Sequence, residues 1–99
     1  MKVTMKTEGQ TAFISPEGRI DTVTAPELED SISKVPEGIT AIKFDFANVE
    51  YVSSAGLRVL LVAQKMMKKA GGAMTTANLP PAVKEVFDIT GFSDILTIV

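Results

Sequence analysis

Val3, Met5 and Thr7 alternate with Lys2, Thr4 and Lys6 at the start of the chain, the period of two that a strand with one buried face requires. Glu8-Gly9-Gln10 reads as a tight turn and Thr11 to Ser15 as a returning strand, which predicts an opening β-hairpin. The chain then passes through Pro16-Glu17-Gly18 to Arg19-Ile20-Asp21-Thr22. From Thr24 the period changes. Thr24 is an N-cap candidate, Pro26 lies in the first turn, and Glu27 follows Thr24 at capping-box spacing. Leu28, Ile32 and Val35 recur at helical spacing, predicting a short amphipathic helix that ends at Pro36-Glu37-Gly38.

Ile39 to Phe46, ITAIKFDF, is the best candidate for a central strand, being apolar and rich in β-formers. After Ala47 to Val52 two adjacent hydroxyls, Ser53 and Ser54, precede a long helix, Ala55 to Ala70, stopped by Gly71-Gly72. Ala73 to Ala77 reads as a further strand. Leu79-Pro80-Pro81 opens a third helix with Val83, Val86, Phe87 and Ile89 on its apolar side, closed by Gly91. Phe92 to Val99 adds a one-turn element and the tail ILTIV, which suits a last strand. Strands alternating with helices predict an α/β sheet with the hairpin at one edge. With no repeat, linker or low-complexity run, residues 1–99 are expected to form a single domain.

Composition narrows the chemistry. Ten Lys plus Arg against twelve Asp plus Glu leave a net charge of −2, so direct nucleic-acid binding is not expected. The chain has neither cysteine nor histidine. That removes disulfides, thiolate sites, most transition-metal sites and the usual imidazole-activated nucleophiles, so an enzyme here would have to work with Asp, Glu, Lys or Tyr; the expectation is a protein without metal, cofactor or enzymatic activity. MKVTMKTEGQ lacks the apolar core of a signal peptide, and no apolar run approaches the roughly 20 residues of a membrane span. The expectation is a cytoplasmic protein without membrane insertion.

On a helical wheel, Gly56, Val59, Leu60, Ala63, Met67 and Ala70 fall on one side of the long helix, facing the sheet. Ser54, Arg58, Lys65, Lys68 and Lys69 fall opposite. Leu61 lies between Ser54 and Lys65 on this polar side, and Val62 lies at its border. Leu61 and Val62, ringed by Arg58, Lys65 and Lys69, form a candidate docking patch; the plain alternative is ordinary surface apolar residues, with late cations complementing the helix dipole. Ser53 suits the N-cap. Ser54 then occupies the first turn, where a helix N-terminus tolerates an added phosphate while a docked partner would not. Ala55 and Gly56 give room for a tight strand-to-helix turn.

The segment FDFANVEYVSSAGLRVLLVAQ, Phe44 to Gln64, resembles the strand, loop and helix start of the STAS domain of bacterial anti-sigma factor antagonists. GRIDTVTAPELE, Gly18 to Glu29, resembles that family's turn into its first helix, and PPAVKEVFDITGF, Pro80 to Phe92, its third helix. The resemblance implies a STAS fold: a four to five-stranded mixed sheet with an N-terminal β-hairpin and helices packed mainly on one side. It implies that the unphosphorylated protein sequesters an anti-sigma factor that is also a serine kinase, in partner-switching regulation. The kinase breaks the complex by phosphorylating a serine, and a PPM-type phosphatase restores it.

Ser54, immediately before Ala55-Gly56-Leu57, matches the phosphorylated position. Ser53 stands where well-known members often carry Asp and is the rival phosphosite. Asp21 matches an acidic residue beside the site and Asp45 a strand-end aspartate, although either also suits a simple turn. The expected partner-binding set is therefore Asp21, Asp45, Ser53, Ala55, Gly56, Arg58, Leu61, Val62 and Lys65. A competing reading is a STAS-type structural subunit of a membrane lipid-transport ATPase complex, against which the SSAGL motif counts. A hydrolase centred on Ser54 lacks both the G-x-S-x-G elbow and a histidine.

Overall fold

A computed structural model describes residues 1–99. Strands β1 (Lys2–Glu8) and β2 (Thr11–Ile20) form the predicted antiparallel hairpin, paired from Lys2↔Glu17 to Glu8↔Thr11. β2 does not stop at Ser15, as the turn residues Pro16-Glu17-Gly18 suggest, but runs on to Ile20. On its other edge it pairs with β3 (Ala41–Asp45) through Thr11 to Ile14 and with β4 (Val49–Val52) through Gly18 to Ile20. Pro16 falls in the gap between those partners, where the missing N–H costs that ladder nothing.

β2, β3, β5 (Ala73–Ala77) and β6 (Thr97–Ile98) continue the sheet in parallel, in the order β1-β2-β3-β5-β6. The crossovers carry α1 (Ala25–Ser33), α2 (Ser54–Lys69) and α3 (Pro81–Thr90), the last followed by a single 3₁₀ turn at Phe92–Asp94. The sheet has six strands rather than the expected four to five. β4 pairs with β2 across an irregularity at Gly18/Arg19 and buries only its two ends, Val49 and Val52, so no alternation announces it. β6 has two residues, too few for a period.

All three helices lie on one face. Ala12, Ile14, Ile42, Phe44, Met74 and Thr76 point into that layer. Phe13 and Lys43 occupy the open face, with the Lys43 ammonium 5.8 Å from the Phe13 ring centre. α1 contributes Leu28 and Ile32 to the core, α2 Gly56, Leu57, Val59, Leu60, Ala63 and Met67, and α3 Val83 and Phe87. Phe44, Phe46 and Phe87 meet edge to face at 5.9 and 6.3 Å between ring centres, a favoured aromatic geometry.

Two wheel assignments change. Ala70 is exposed because α2 ends at Lys69 and Ala70 is already its C-cap. Ile89 is 76% exposed; α3 packs through Val83 and Phe87, four residues apart, and a residue two beyond Phe87 lies on the far side of the helix.

Candidate functional site

β2 and β4 run in parallel and end side by side, with Ile20 opposite Val52. The two chains leaving them, towards α1 and α2, are therefore neighbours. The Ser53 N–H donates to the Ile20 carbonyl at 2.8 Å, binding the start of α2 to the end of β2. Gly56 makes this approach possible. A Cβ there would lie 2.6 Å from Ile20 Cγ2 and 2.9 Å from Val52 Cγ2, well inside van der Waals contact.

The turn after β2 is held by Asp21 and Thr24. Asp21 Oδ1 accepts the Val23 N–H at 3.0 Å and the Thr24 N–H at 3.1 Å, an Asx turn. Thr24 Oγ1 accepts the Asp21 N–H at 2.9 Å and donates to the Arg19 carbonyl at 2.7 Å. Thr24 is the N-cap of α1, as predicted, but its hydroxyl makes no capping bond because it is spent on this turn. The capping-box partner is diverted too: Glu27 lies 3.5 Å from the N-terminal ammonium of Met1. The Thr24 N–H holds the Asp21 carboxyl below its ordinary range, helped by the Val23 N–H and by Arg19, whose Nε is 3.8 Å from Oδ2.

Ser53 is the N-cap of α2, with extended backbone (φ −98°, ψ 175°), and its carbonyl accepts the first helical bond, from the Leu57 N–H at 3.0 Å. Its hydroxyl, however, is buried and unpaired and makes no cap. The N–H groups of Ser54, Ala55 and Gly56 thus lack helical partners, and α2 has no acidic residue in its first turn. Ser54 is exposed beside these free donors. The result is a solvent-facing hydroxyl at the positive end of a 16-residue helix, next to an anchored Asp21. No group of three or more acidic side chains is arranged to hold a metal ion.

Residues 2–99 match the STAS domain family. The chain belongs to it. BtrV of Bordetella bronchiseptica is 32% identical over 99 residues, covering 99% of this chain and 85% of BtrV. The anti-sigma-B factor antagonist of Bacillus subtilis is 36% identical over 81 residues, covering 82% of this chain and 74% of that protein. Among solved structures, an anti-sigma factor antagonist from Mycobacterium paratuberculosis superposes with a TM-score of 0.86 at 26% identity, over 98% of this chain and 83% of that one.

The STAS domain brings Asp21, Ser53, Ser54, Ala55, Gly56 and Arg58 together around the junction of β2, β4 and the two helix starts. Leu61 is half-buried and Val62 is 43% exposed, so the apolar patch survives mainly at Val62; Lys65 is exposed. Asp45 is not part of this cluster. It ends β3, on the open face of the sheet, where its Oδ1 accepts the Ala47 N–H at 3.0 Å and an Asn78 side-chain N–H at 3.1 Å. β3 leaves β2 beside Ile14 and β4 ends beside Ile20, six residues further along β2, so Asp45 lies roughly 20 Å down the sheet from Ser53 at about 3.3 Å per residue. Sequence reasoning passed over Thr24 as the organiser of the Asp21 turn. It also missed Val23, 82% exposed at the tip of that turn, and the stack of Arg19 on Tyr51 at 4.5 Å. A valine between two threonines in a turn was the available signal for the first.

No helix of the STAS domain is long and apolar enough to cross a membrane.

Proposed function

We propose that this STAS domain is an anti-sigma factor antagonist whose unphosphorylated form sequesters an anti-sigma factor with serine kinase activity, and that phosphorylation of Ser54 ends the complex. The observation that carries the reading is Ser54 itself: an exposed hydroxyl on the first residue of α2, beside unpaired backbone N–H groups, with Asp21 held nearby. A phosphate there meets donors and a favourable dipole, so the fold is spared while the docking surface gains about two negative charges. The 36% identity to the Bacillus subtilis anti-sigma-B factor antagonist supports the class of partner, and this identity favours the reading over a transporter subunit.

On this reading the chain contributes no catalysis. The kinase supplies the phosphoryl transfer, a PPM-type phosphatase reverses it, and the exchange takes place in the cytoplasm with the transcription machinery. Intact-mass measurement after incubation with candidate anti-sigma kinases and ATP tests the reading. One phosphate should appear on the wild type and on Ser53→Ala, and none on Ser54→Ala. Equal labelling of Ser54→Ala, or no labelling by any such kinase, would overturn it.

A further inference from the structure

α1 and α2 lie side by side with a cavity of about 240 Å³ between them. Thr22, Ala25 and Glu29 line one side, and Ala55, Arg58 and Val59 the other. Its size suits an aliphatic side chain entering from outside. Ala55, next to Ser54, forms part of the wall, and Thr22 and Ala25, which also line it, flank the exposed Val23 in sequence. The cavity therefore opens next to the switch residue.

The charges around this groove are unusual. α2 carries Arg58, Lys65, Lys68 and Lys69 and no acidic residue, although the chain as a whole has a net charge of −2. None of these four cations forms an ion pair. α1 is acidic, with Glu27, Glu29 and Asp30. Glu27 is engaged by the N-terminal ammonium and Asp30 by Lys34 at 3.0 Å, which leaves Glu29 unpaired. Arg58 on the α2 side thus faces Glu29 on the α1 side across an apolar floor with no ion pair between them, and Lys65 follows Arg58 two turns along the same face of α2. Lys68 and Lys69 in the last turn complement the helix dipole. Arg58 is in the second turn and Lys65 in the fourth, so that explanation does not extend to Arg58.

We infer that the α1–α2 groove receives an amphipathic helix of the partner, with an aliphatic side chain in the cavity, carboxylates facing Arg58 and Lys65, and a cationic side chain facing Glu29. The inference rests on the antagonist reading and specifies how that partner is held. Charge complementarity selects this occupant: an uncharged or basic helix would leave the α2 cations unanswered or repelled. It also explains how one phosphate can act at a distance. Phosphorylated Ser54 adds negative charge at the end of the same basic stripe, where it would repel the partner's carboxylates.

The test is the affinity of the unphosphorylated protein for the kinase that labels Ser54, measured by calorimetry without ATP at two salt concentrations. Arg58→Glu/Lys65→Glu should weaken binding by about thirtyfold or more and flatten its salt dependence. Glu29→Lys should weaken it about tenfold. Lys6→Glu/Lys43→Glu makes the same charge change on strands β1 and β3, away from the groove, and should stay within about twofold. Circular dichroism establishes that each variant is folded. Wild-type binding with Arg58→Glu/Lys65→Glu unchanged, or with both double variants weakened equally, overturns the groove alone. Absence of any wild-type complex overturns the antagonist reading, and the groove with it.

Discussion

Gly56 rests on Ile20 so closely that a single added carbon would lie 2.6 Å from the isoleucine methyl and 3.2 Å from its carbonyl oxygen. This contact, together with the Ser53 N–H bond to the same carbonyl, sets where α2 begins relative to the end of β2. Ala is a better helix former than Gly by about 1 kcal/mol, but overpacking of this kind costs typically about 1–3 kcal/mol. The overpacking term wins because Ile20 is fully buried and has nowhere to go. Gly56→Ala should therefore destabilise the protein by about 1 kcal/mol or more in chemical denaturation, in place of the gain expected for Gly→Ala in an exposed helix.

Ser53 should behave unlike an ordinary capping serine. Its backbone occupies the N-cap while its hydroxyl is buried without a partner. Removing a hydroxyl that makes a cap costs about 1 kcal/mol; removing one that is desolvated and unpaired costs little or is favourable. Ser53→Ala is expected to leave the denaturation midpoint unchanged or slightly raised. A loss near 1 kcal/mol would show that the hydroxyl caps α2 after all.

Thr76 poses the same question in the core. It is fully buried in β5, and its hydroxyl has no hydrogen-bond partner. Thr76→Val keeps the branched shape and exchanges the unpaired oxygen for a methyl, so it should stabilise the domain by about 1 kcal/mol. Urea denaturation with an unchanged slope reads this out.

The Asp21 turn has a pH signature. Bonds from the Thr24 and Val23 N–H groups favour the ionised carboxylate and hold its pKa below 3.8. Since the folded value lies below the unfolded one, the contribution of these bonds is complete above about pH 4 and is lost as pH falls through the folded value. Carbon-detected NMR titration should place the Asp21 midpoint below 3.8, with the Val23 and Thr24 amide resonances moving at that same pH. Asp21→Ala should release the turn at neutral pH, which faster amide exchange at Val23 and Thr24 would register.

Much of this architecture was legible because local chemistry and tertiary packing agree. Val3 and Met5 alternate because one face of β1 is covered, and the helical spacing around Leu60, Ala63 and Met67 matches the buried side of α2. Legibility failed where the decisive partner is distant in sequence. Pro16 looks like a strand breaker until β3 and β4 are seen to leave a gap beside it. Thr24 and Glu27 carry a sound capping-box pattern, yet Arg19, Asp21 and the N-terminal ammonium claim their side chains first. Asp45 is a strand-end aspartate as read, but only the stacking of β4 beyond β3 along β2 reveals that it lies far from Ser54.

Charge at Ser54 should separate binding from folding. In Ser54→Asp the carboxylate sits in the first turn of α2, beside N–H groups that have no helical partner and in a turn that otherwise holds no acid. There it favours the helix by about 0.3–1 kcal/mol, so thermal denaturation should show a midpoint equal to or slightly above that of the wild type. The same charge lies on the stripe that continues through Arg58 and Lys65, and it is expected to lower affinity for the partner kinase about tenfold or more. Ser54→Ala removes the acceptor without adding charge and should bind as the wild type does, but resist release on adding ATP. Equal affinity of Ser54→Asp and Ser54→Ala would show that the switch does not act through charge at this position.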